Sequence, residues 1–590
     1  MGETSGNDYA LIASGIDKVF EHRKNFLVIG LTGRTGSGCT TAAKILATPS
    51  FASLALPTVQ NPPRSHEDRK LRIVRLWAET HWRPFVTISA TAVILALALK
   101  DGLSNLLDVI QRVDTGADLA PIQGLLTPYE NDVKNAFDVA NDIHGPRRHA
   151  AAHAAKTLTT GIVTALDALK PLLSSRTAYT QLFQLLGNNV RRSGSPTKDD
   201  IDPDKIFTIP ATIVLVIDVL RVYFKMEDIA QQYIVIDALR HPYEIRYLRE
   251  RISSFYTVAV STTDEERERR LHSLQMTDEQ VKQLSDIEYP NKIGKATDYS
   301  QLVKQNIQAC LELADIYISN ANGNNGPHVD LTRQLVRYVA LMQHPGLITP
   351  TAIERCMQAA ITARANSGCI SRQVGAVVTD EHFSVKSIGW NDVPQGQVPC
   401  VLRNVGHLMQ GNYDRPAYSD FERSNAKFRE SVVLTYNWNP SKDSFKGRNL
   451  SYCFKTAYNA ISPDGNNQVH TRSLHAEENA FLQIAKYGGQ SIAGGYLFTT
   501  ASPCELCAKK AYQLGIRKIF YIDPYPGIAI THVLGSGSMK PELQLFEGAI
   551  GSAYHDLYQP VMPYKDELPR LIDADKDRAP GVDVAQRSRG

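Results

Sequence analysis

The sequence predicts an α/β protein built on two helix-covered sheets, and three observations carry that reading. Apolar, strand-like runs alternate with helical stretches in both halves of the chain. The first run, Phe26 to Gly33 (FLVIGLTG), ends in a glycine turn that opens a helix, and a later one, Tyr496 to Thr500 (YLFTT), leads into two cysteines that open another. Strands that alternate with helices imply parallel pairing with both sheet faces covered.

Upstream, long helical stretches occupy about residues 70 to 190. ATIVLVID (211–218), YIVIDAL (233–239) and SFYTVAVS (254–261) then read as strands. Downstream, a helix through Ala359 and Ala363 leads to the strands VGAVVTD and SVKSIGW, an insertion, a helix from His475, the strand YLFTT, a helix from Cys504 and the strand KIFYID. The Asn/Gly-rich stretch Ser319 to His328 reads as a hinge, which puts the domains at 1–325 and 326–572, with an insertion at 395–470 and a polar tail at 573–590. The stretch Ser193 to Asp204 is a polar surface loop of the same composition class.

Composition narrows the function classes. The chain has 590 residues, too many for one small module, and its 43% apolar and 21% charged content suits packed cores rather than disorder. Lys and Arg number 64 against 61 Asp and Glu, a net +3 that gives no strong field for steering toward a polyanion and does not by itself exclude nucleic acid. Eight cysteines spread along the chain read as reduced thiols, so paired ones are candidate metal ligands. The polar first twenty residues show no secretory signal pattern. The most lipid-like run, Phe85 to Leu99, has fifteen residues where a membrane span needs about twenty. A buried helix or strand and a cytoplasmic location without membrane attachment are the expectation.

The chemistry concentrates at His475-Ala476-Glu477, followed by Pro503-Cys504-Glu505-Leu506-Cys507, an H-x-E and P-C-x-x-C arrangement of the kind that holds catalytic zinc in nucleobase deaminases. Two cysteines three apart at the first turn of a helix lie on one face, where the helix N-terminus favours thiolates. With His475 they make three ligands for Zn2+, leaving a fourth position for water, whose pKa the metal lowers toward neutrality. Glu477 is then the proton shuttle between that water, the ring nitrogen and the departing amine. Structural zinc at the cysteines and a surface His/Glu pair are the plainer readings of each piece taken alone.

The surrounding words sharpen the substrate. Ala363 to Ala376 (ARANSGCISRQVGA), Gly389-Trp390-Asn391-Asp392 with Pro394, HAEENA and GIRKIFYIDPY together resemble the deoxycytidylate deaminase branch of the cytidine deaminase superfamily. The resemblance implies a cytidine deaminase-like α/β/α domain in which Asn391 contacts the sugar and phosphate side of the nucleotide, a turn role for Asn391-Asp392 being the alternative. It also makes Arg372, Gln373, Tyr521, Asp523 and Tyr525 candidate pocket residues. The insertion departs from a compact deaminase, with 83 residues between Asn391 and His475; a lid, an oligomer contact or a regulatory element would account for it. Within it, Cys400, His407, Cys453 and His470 either close a second, structural zinc site or are unconnected.

In the amino half, Gly33, Arg34, Thr35, Gly36, Ser37, Gly38, Cys39, Thr40 and Thr41 form a phosphate-cradling pattern in which backbone N–H groups and a helix N-terminus face an anion. Against G-x-x-x-x-G-K-[ST], Gly33, Gly38 and Thr40 match, but Cys39 stands where the lysine belongs. Anion binding is compatible with that change; efficient phosphoryl transfer is not expected. YIVIDALR followed by EERERR (265–270) resembles nucleoside monophosphate and dephospho-coenzyme A kinases, which implies a P-loop kinase-like parallel-sheet domain. It implies ATP or another regulatory nucleotide at the loop, Mg2+ at Asp237 with Asp218 as competitor, and phosphate contacts from Arg267 or Arg270. A solvated, charge-paired helix is the alternative for EERERR.

The order of the two halves resembles the bacterial anti-phage dCTP deaminases. It implies conversion of dCTP to dUTP, and of dCMP to dUMP, so that dCTP is depleted, with the amino domain as nucleotide-binding regulator. A homo-oligomer and an RNA regulator are further partners it implies. Two competing functions remain open at this point: a polynucleotide cytidine deaminase, which would call for a basic, aromatic-lined groove, and a non-catalytic nucleotide-sensing scaffold.

Overall fold

The computed structural model describes residues 15, 18, 25–59, 61–288, 299–321, 326–411, 415–442, 444–462, 470–488, 491–523 and 528–576. The chain forms two compact units, residues 1–349 with 552–590 and residues 350–551. The division thus falls at 349/350 and not at 325/326, and for a physical reason. The helix Val329–Gln343 is buried along most of its length in the first unit, where the Trp77 indole donates to the Gln343 side chain at 2.8 Å and the Gln334 amide pairs with both backbone groups of Ser319 at 3.1 Å. The polar stretch, of which 322–325 lie outside the described residues, falls between a strand that ends at Ser319 and this helix, and its turn composition is indistinguishable from that of a hinge. The helix Tyr564–Lys576 likewise crosses the expected start of the tail at 573, and His344 meets Glu567 at 2.9 Å.

In the first unit, β1 (Phe26–Thr32), β2 (Val86–Ser89), β3 (Gln232–Asp237), β4 (Phe255–Ser261) and β5 (Ile316–Ser319) run parallel in the order β5-β4-β1-β3-β2. The central strands are apolar on both faces because helices cover both. The run Phe85 to Leu99 supplies both structures its composition allows: β2, then the helix Ala90–Asp101, capped by the Ser89 hydroxyl on the Ala92 N–H at 3.3 Å.

ATIVLVID is not a strand. It lies inside the helix Thr208–Met226, whose buried Ile209, Ile213, Val216, Ile217, Leu220 and Phe224 recur at three- and four-residue spacing. An eight-residue window with five β-branched residues imitates a buried strand; only the full nineteen-residue run shows the helical period. The stretch Pro203–Met226 is long and apolar enough to cross a membrane by length and composition, and here its apolar face packs into the helical core between β2 and β3. Asp218 accordingly sits on a helix, 3.9 Å from Arg221, and is no candidate for the strand-end acid.

The second unit carries a mixed sheet. The strands β6 (Gly375–Thr379) and β7 (Val385–Trp390) precede a two-stranded hairpin of the insertion, β8 (Ser444–Phe445) and β9 (Arg448–Asn449). Then come β10 (Tyr496–Ala501), β11 (Lys518–Asp523) and β12 (Glu542–Leu545), giving the order β12-β11-β10-β6-β7. β10, β11 and β12 are parallel, whereas β6 is antiparallel to both its neighbours. The insertion has its own small core, with Phe428, Tyr452, Val405 and Leu408 around a fully buried Arg403 that pairs with Glu422 and the Tyr452 hydroxyl. Its described residues thus include a packed core.

One close approach sets the position of the helix Ala476–Tyr487 on this sheet. A Cβ added at Gly389 on β7 would lie 2.3 Å from the Ala476 carbonyl oxygen and 2.4 Å from the Ala480 nitrogen, both backbone atoms that have no rotamer in which to escape. Gly389→Ala should push the helix outward and cost about 1–3 kcal/mol, seen as a lower melting temperature together with reduced bound zinc in the purified protein.

Candidate metal centre and substrate cavity

His475 and Cys504 are both N-cap residues, of the helices Ala476–Tyr487 and Glu505–Gln513, and both have extended backbone. Cys507 follows in the first turn of the second helix. Two chain segments therefore enter helices at the same place and aim their first side chains at one point. His475 Nδ1 lies 3.2 Å from Cys504 Sγ and 3.5 Å from Cys507 Sγ, and the three donor atoms are all within 4.8 Å of one another. Bond lengths of about 2.0 Å to nitrogen and 2.3 Å to sulfur give a tetrahedral N–S edge of about 3.5 Å, so one imidazole and two sulfurs at these separations fit zinc.

The electrostatics agree with a metal-binding thiol pair. The Cys504 thiol is pushed down to about 4, first by its hydrogen bond with Cys507 and then by His475, while that same bond and burial push Cys507 up. Zinc binding at such a pair releases thiol protons. His475 is raised, chiefly by its hydrogen bond to Cys504.

Glu477, in the first turn beyond His475, is 4% exposed and accepts the Thr499 hydroxyl at 3.0 Å. Burial raises its carboxyl above the ordinary range. It shares with His475 and Cys504 the wall of a cavity of about 190 Å³. Asn391 is also in that wall, 8% exposed. Its amide donates to the Arg372 carbonyl at 2.7 Å and accepts the Val374 N–H at 2.6 Å, so it braces the 372–374 loop and keeps one hydrogen and one lone pair for another partner. Arg372 lines the cavity and pairs with the fully buried Asp523.

Several predicted pocket residues lie elsewhere. Asp523 is not in the cavity wall and pairs with Arg372, which is. Tyr521 is two residues back along β11, beside Thr499 in register, whereas the cavity opens at the strand ends marked by Ala501, Ser502 and Cys504. The Gln373 side chain is turned to the Ser367 carbonyl at 3.1 Å. Tyr525 falls outside the described residues.

The four insertion residues Cys400, His407, Cys453 and His470 do not assemble. Among the described residues, His475, Cys504 and Cys507 are the one group of three ligand-type side chains close enough to share an ion. Cys400 and Cys453 are in the cavity wall, and the His470 ring packs on Tyr458 at 4.5 Å. Sequence reasoning did not single out Thr499, Lys455 and Arg472. The paired threonines at the end of an apolar strand were a signal for the first, but nothing in the insertion marked the other two.

In the first unit, β1 passes into Gly33–Gly38 and then the helix Cys39–Leu46. Gly36 and Gly38 have φ of 91° and 109°, and a Cβ at Gly38 would lie 2.0 Å from the Asn320 amide nitrogen. Cys39 is buried, and burial, helped by Asp237, pushes its thiol up to about 12, so the position that would carry an ammonium carries a neutral group. The Thr40 hydroxyl donates to Asp237 at 2.8 Å, and burial raises the Asp237 carboxyl. Thr41 follows in the same helix. The EERERR helix is not simply solvated: Arg267, 2% exposed, donates to the Thr35 carbonyl at 2.9 Å, and Arg270 to the carbonyls of Gly36 and Ser37 at 3.3 Å. These arginines hold the loop's own backbone.

The cavity is thus walled by an acid, an imidazole and a thiol brought together at two helix starts of an α/β unit, with a donor set that suits zinc. Residues 350–523 match the model for the cytidine and deoxycytidylate deaminase zinc-binding region, a span that includes His475, Glu477, Cys504 and Cys507. The chain is 28% identical over 179 residues to the deoxycytidylate deaminase of Enterobacteria phage T2, covering 29% of this chain and 78% of that protein. With the phage T4 deoxycytidylate deaminase it shares 29% over 179 residues, 29% of this chain and 76% of that one. Among solved structures, the dCMP deaminase from cyanophage S-TIM5 in complex with dCMP and dUMP is 23% identical, with 34% of this chain and 99% of that chain covered and a TM-score of 0.20.

Proposed function

We propose that the second unit hydrolytically deaminates deoxycytidine nucleotides, dCMP to dUMP and also dCTP to dUTP. The grouping of Cys507 with His475 and Cys504, two residues that share a cavity wall with Glu477, carries this reading, and the phage relatives named for deoxycytidylate deamination support it. His475, Cys504 and Cys507 would hold Zn2+, which supplies Lewis acidity that makes a water nucleophilic near neutral pH. Glu477 accepts a proton from the attacking water, delivers one to the ring N3 and passes the second to the exocyclic amine, so that cytosine and water become uracil and ammonia. The Thr499 hydrogen bond fixes which carboxylate oxygen faces the cavity. Asn391 positions the loop that carries Arg372.

The finer choice of substrate rests on charge. Arg372, Lys455 and Arg472 line the cavity, while Glu477 is the one carboxylate among its described lining residues. Two of the three cations come from the insertion or its edge, and Arg472 is oriented by the Val398 carbonyl at 3.1 Å. A wall so charged suits a phosphorylated substrate, and a second and third cation beyond Arg372 suit a triphosphate. Consumption of dCTP would starve DNA synthesis, which fits the resemblance to anti-phage enzymes and a cytoplasmic setting. In this reading the glycine loop of the first unit binds a regulatory nucleotide, ATP among the candidates, and Thr40 and Asp237 hold its Mg2+. The resemblance alone carries homo-oligomer formation and control by an RNA.

Incubation of the purified protein with dCTP, dCMP and single-stranded DNA should release ammonia from the nucleotides; uracil formed in the DNA alone would contradict the reading. Glu477→Gln should lower turnover about 10²–10⁴-fold with zinc retained, by ammonia assay and metal analysis. Lys455→Ala and Arg472→Ala should each raise the KM for dCTP about tenfold, the scale of one charge-assisted hydrogen bond, with a smaller rise for dCMP in the same steady-state assay.

A further inference from the structure

Glu288, at the end of the helix Asp278–Glu288, has no exposed side-chain surface, yet it keeps company that a phosphate group would keep. Its Oε1 accepts the Thr35 backbone N–H and the Thr35 hydroxyl, both at 2.7 Å, inside the glycine loop. Around the carboxylate stand the guanidinium groups of Arg267 at 3.1 Å, Arg240 at 3.3 Å and Arg34 at 4.0 Å. Arg34 also pairs with the exposed Asp264 at 2.6 Å, and Arg270 is engaged by Glu266 at 2.8 Å.

Three guanidinium groups thus face one buried carboxylate, with the exposed Asp264 on Arg34 as a second anion. Burial first, and then the neighbouring Arg34, disfavours the charged form of Arg267, against the opposing pull of Glu288 and Asp264. A phosphate ester carries about −1.5 to −2 and three acceptor oxygens, so it balances this cluster better than a carboxylate does. Planar guanidinium groups together with a backbone N–H in a glycine turn are the donor set that recognises such an anion.

The cluster also has access. Thr35 and Arg240 line a cavity of about 550 Å³, together with Thr40, Lys44, Asp237 and Lys170. That volume lies within the range of small-ligand pockets, roughly 300–1,000 Å³. The helix that carries Glu288 is packed by a small apolar cluster of its own, Val281 and Leu284 against Leu271 and Met276, and not by the main core. A satellite cluster of this kind can open without unfolding the sheet.

We propose that Thr35, Arg34, Arg240 and Arg267 form a phosphate subsite whose occupant in the free protein is the chain's own Glu288, and that the phosphate end of a nucleotide or inorganic polyphosphate entering the cavity displaces it and loosens the helix Asp278–Glu288. The proposal rests on the reading of the glycine loop as a nucleotide site. It adds that the site is filled by an internal anion, so that apparent affinity is set by competition with Glu288, and that ligand binding is read out as release of one helix.

The test uses the full-length protein with inorganic tripolyphosphate, ATP and adenosine as probes in titration calorimetry. Glu288→Gln, which keeps the shape and removes the charge, should bind tripolyphosphate and ATP at least fivefold more tightly than the wild type, with adenosine unaffected. ATP tighter than tripolyphosphate would mark a nucleotide as the occupant, and equal affinity the inorganic chain; either outcome supports a phosphate subsite. Hydrogen exchange of the wild type at saturating probe gives a measurement that needs no variant: amides of the helix Asp278–Glu288 should lose protection. If wild type and variant bind equally well, or if the helix keeps its protection at saturation, the displacement is overturned while the nucleotide site stands. If neither protein binds any phosphate probe, the nucleotide reading of the glycine loop falls and the proposal falls with it.

Discussion

The second unit depends on the tight seating of one helix on one strand. Gly389 leaves β7 without a side chain where the backbone of the helix Ala476–Tyr487 crosses it, and the helix start is thereby brought to the cavity. His475 is fixed before that helix begins, as its N-cap, and Cys504 is fixed in the same way at the end of β10. Ligand geometry is therefore set by backbone packing and not by long, adjustable side chains, and that gives three short donors a common focus. Helix N-termini at the focus favour thiolate over thiol, so the same packing prepares both position and charge.

Around that focus the protein manages buried charge by pairing. Asp523, with no exposed surface, is met by Arg372; Arg403 in the insertion core is met by Glu422 and Tyr452. Breaking such pairs would leave an uncompensated charge in a dry setting, at a cost of several kcal/mol. Glu477 accepts the neutral Thr499 hydroxyl, and burial raises its carboxyl more than the nearby His475 lowers it. A carboxyl held so, beside metal-ligating residues, is suited to moving protons rather than to holding structure. In the first unit the imbalance has the opposite sign, with arginines outnumbering the carboxylate they surround.

What was legible in the sequence is what sits at fixed offsets from the start of an element. His475, Glu477, Cys504 and Cys507 are set by helix starts, and the glycine loop by the end of β1, so spacing alone located them. The strand-end position of Asp237, beside Thr40, was legible for the same reason. The helix Thr208–Met226 was misread because an eight-residue window with five β-branched residues fits either period. Contacts between remote segments left no local mark: Glu288 meets Thr35 across 253 residues, and Lys455 and Arg472 reach the cavity from an insertion whose own fold sets their direction. Asn391 was found, but its bracing of the 372–374 loop follows from hydrogen bonds that spacing does not encode.

Zinc K-edge X-ray absorption on the purified protein tests the central arrangement most directly. The account predicts one zinc per chain with two sulfur scatterers at about 2.3 Å and the rest of the shell nitrogen or oxygen at about 2.0–2.1 Å. A shell of three or four sulfurs, or a purified protein that holds no zinc, would contradict it.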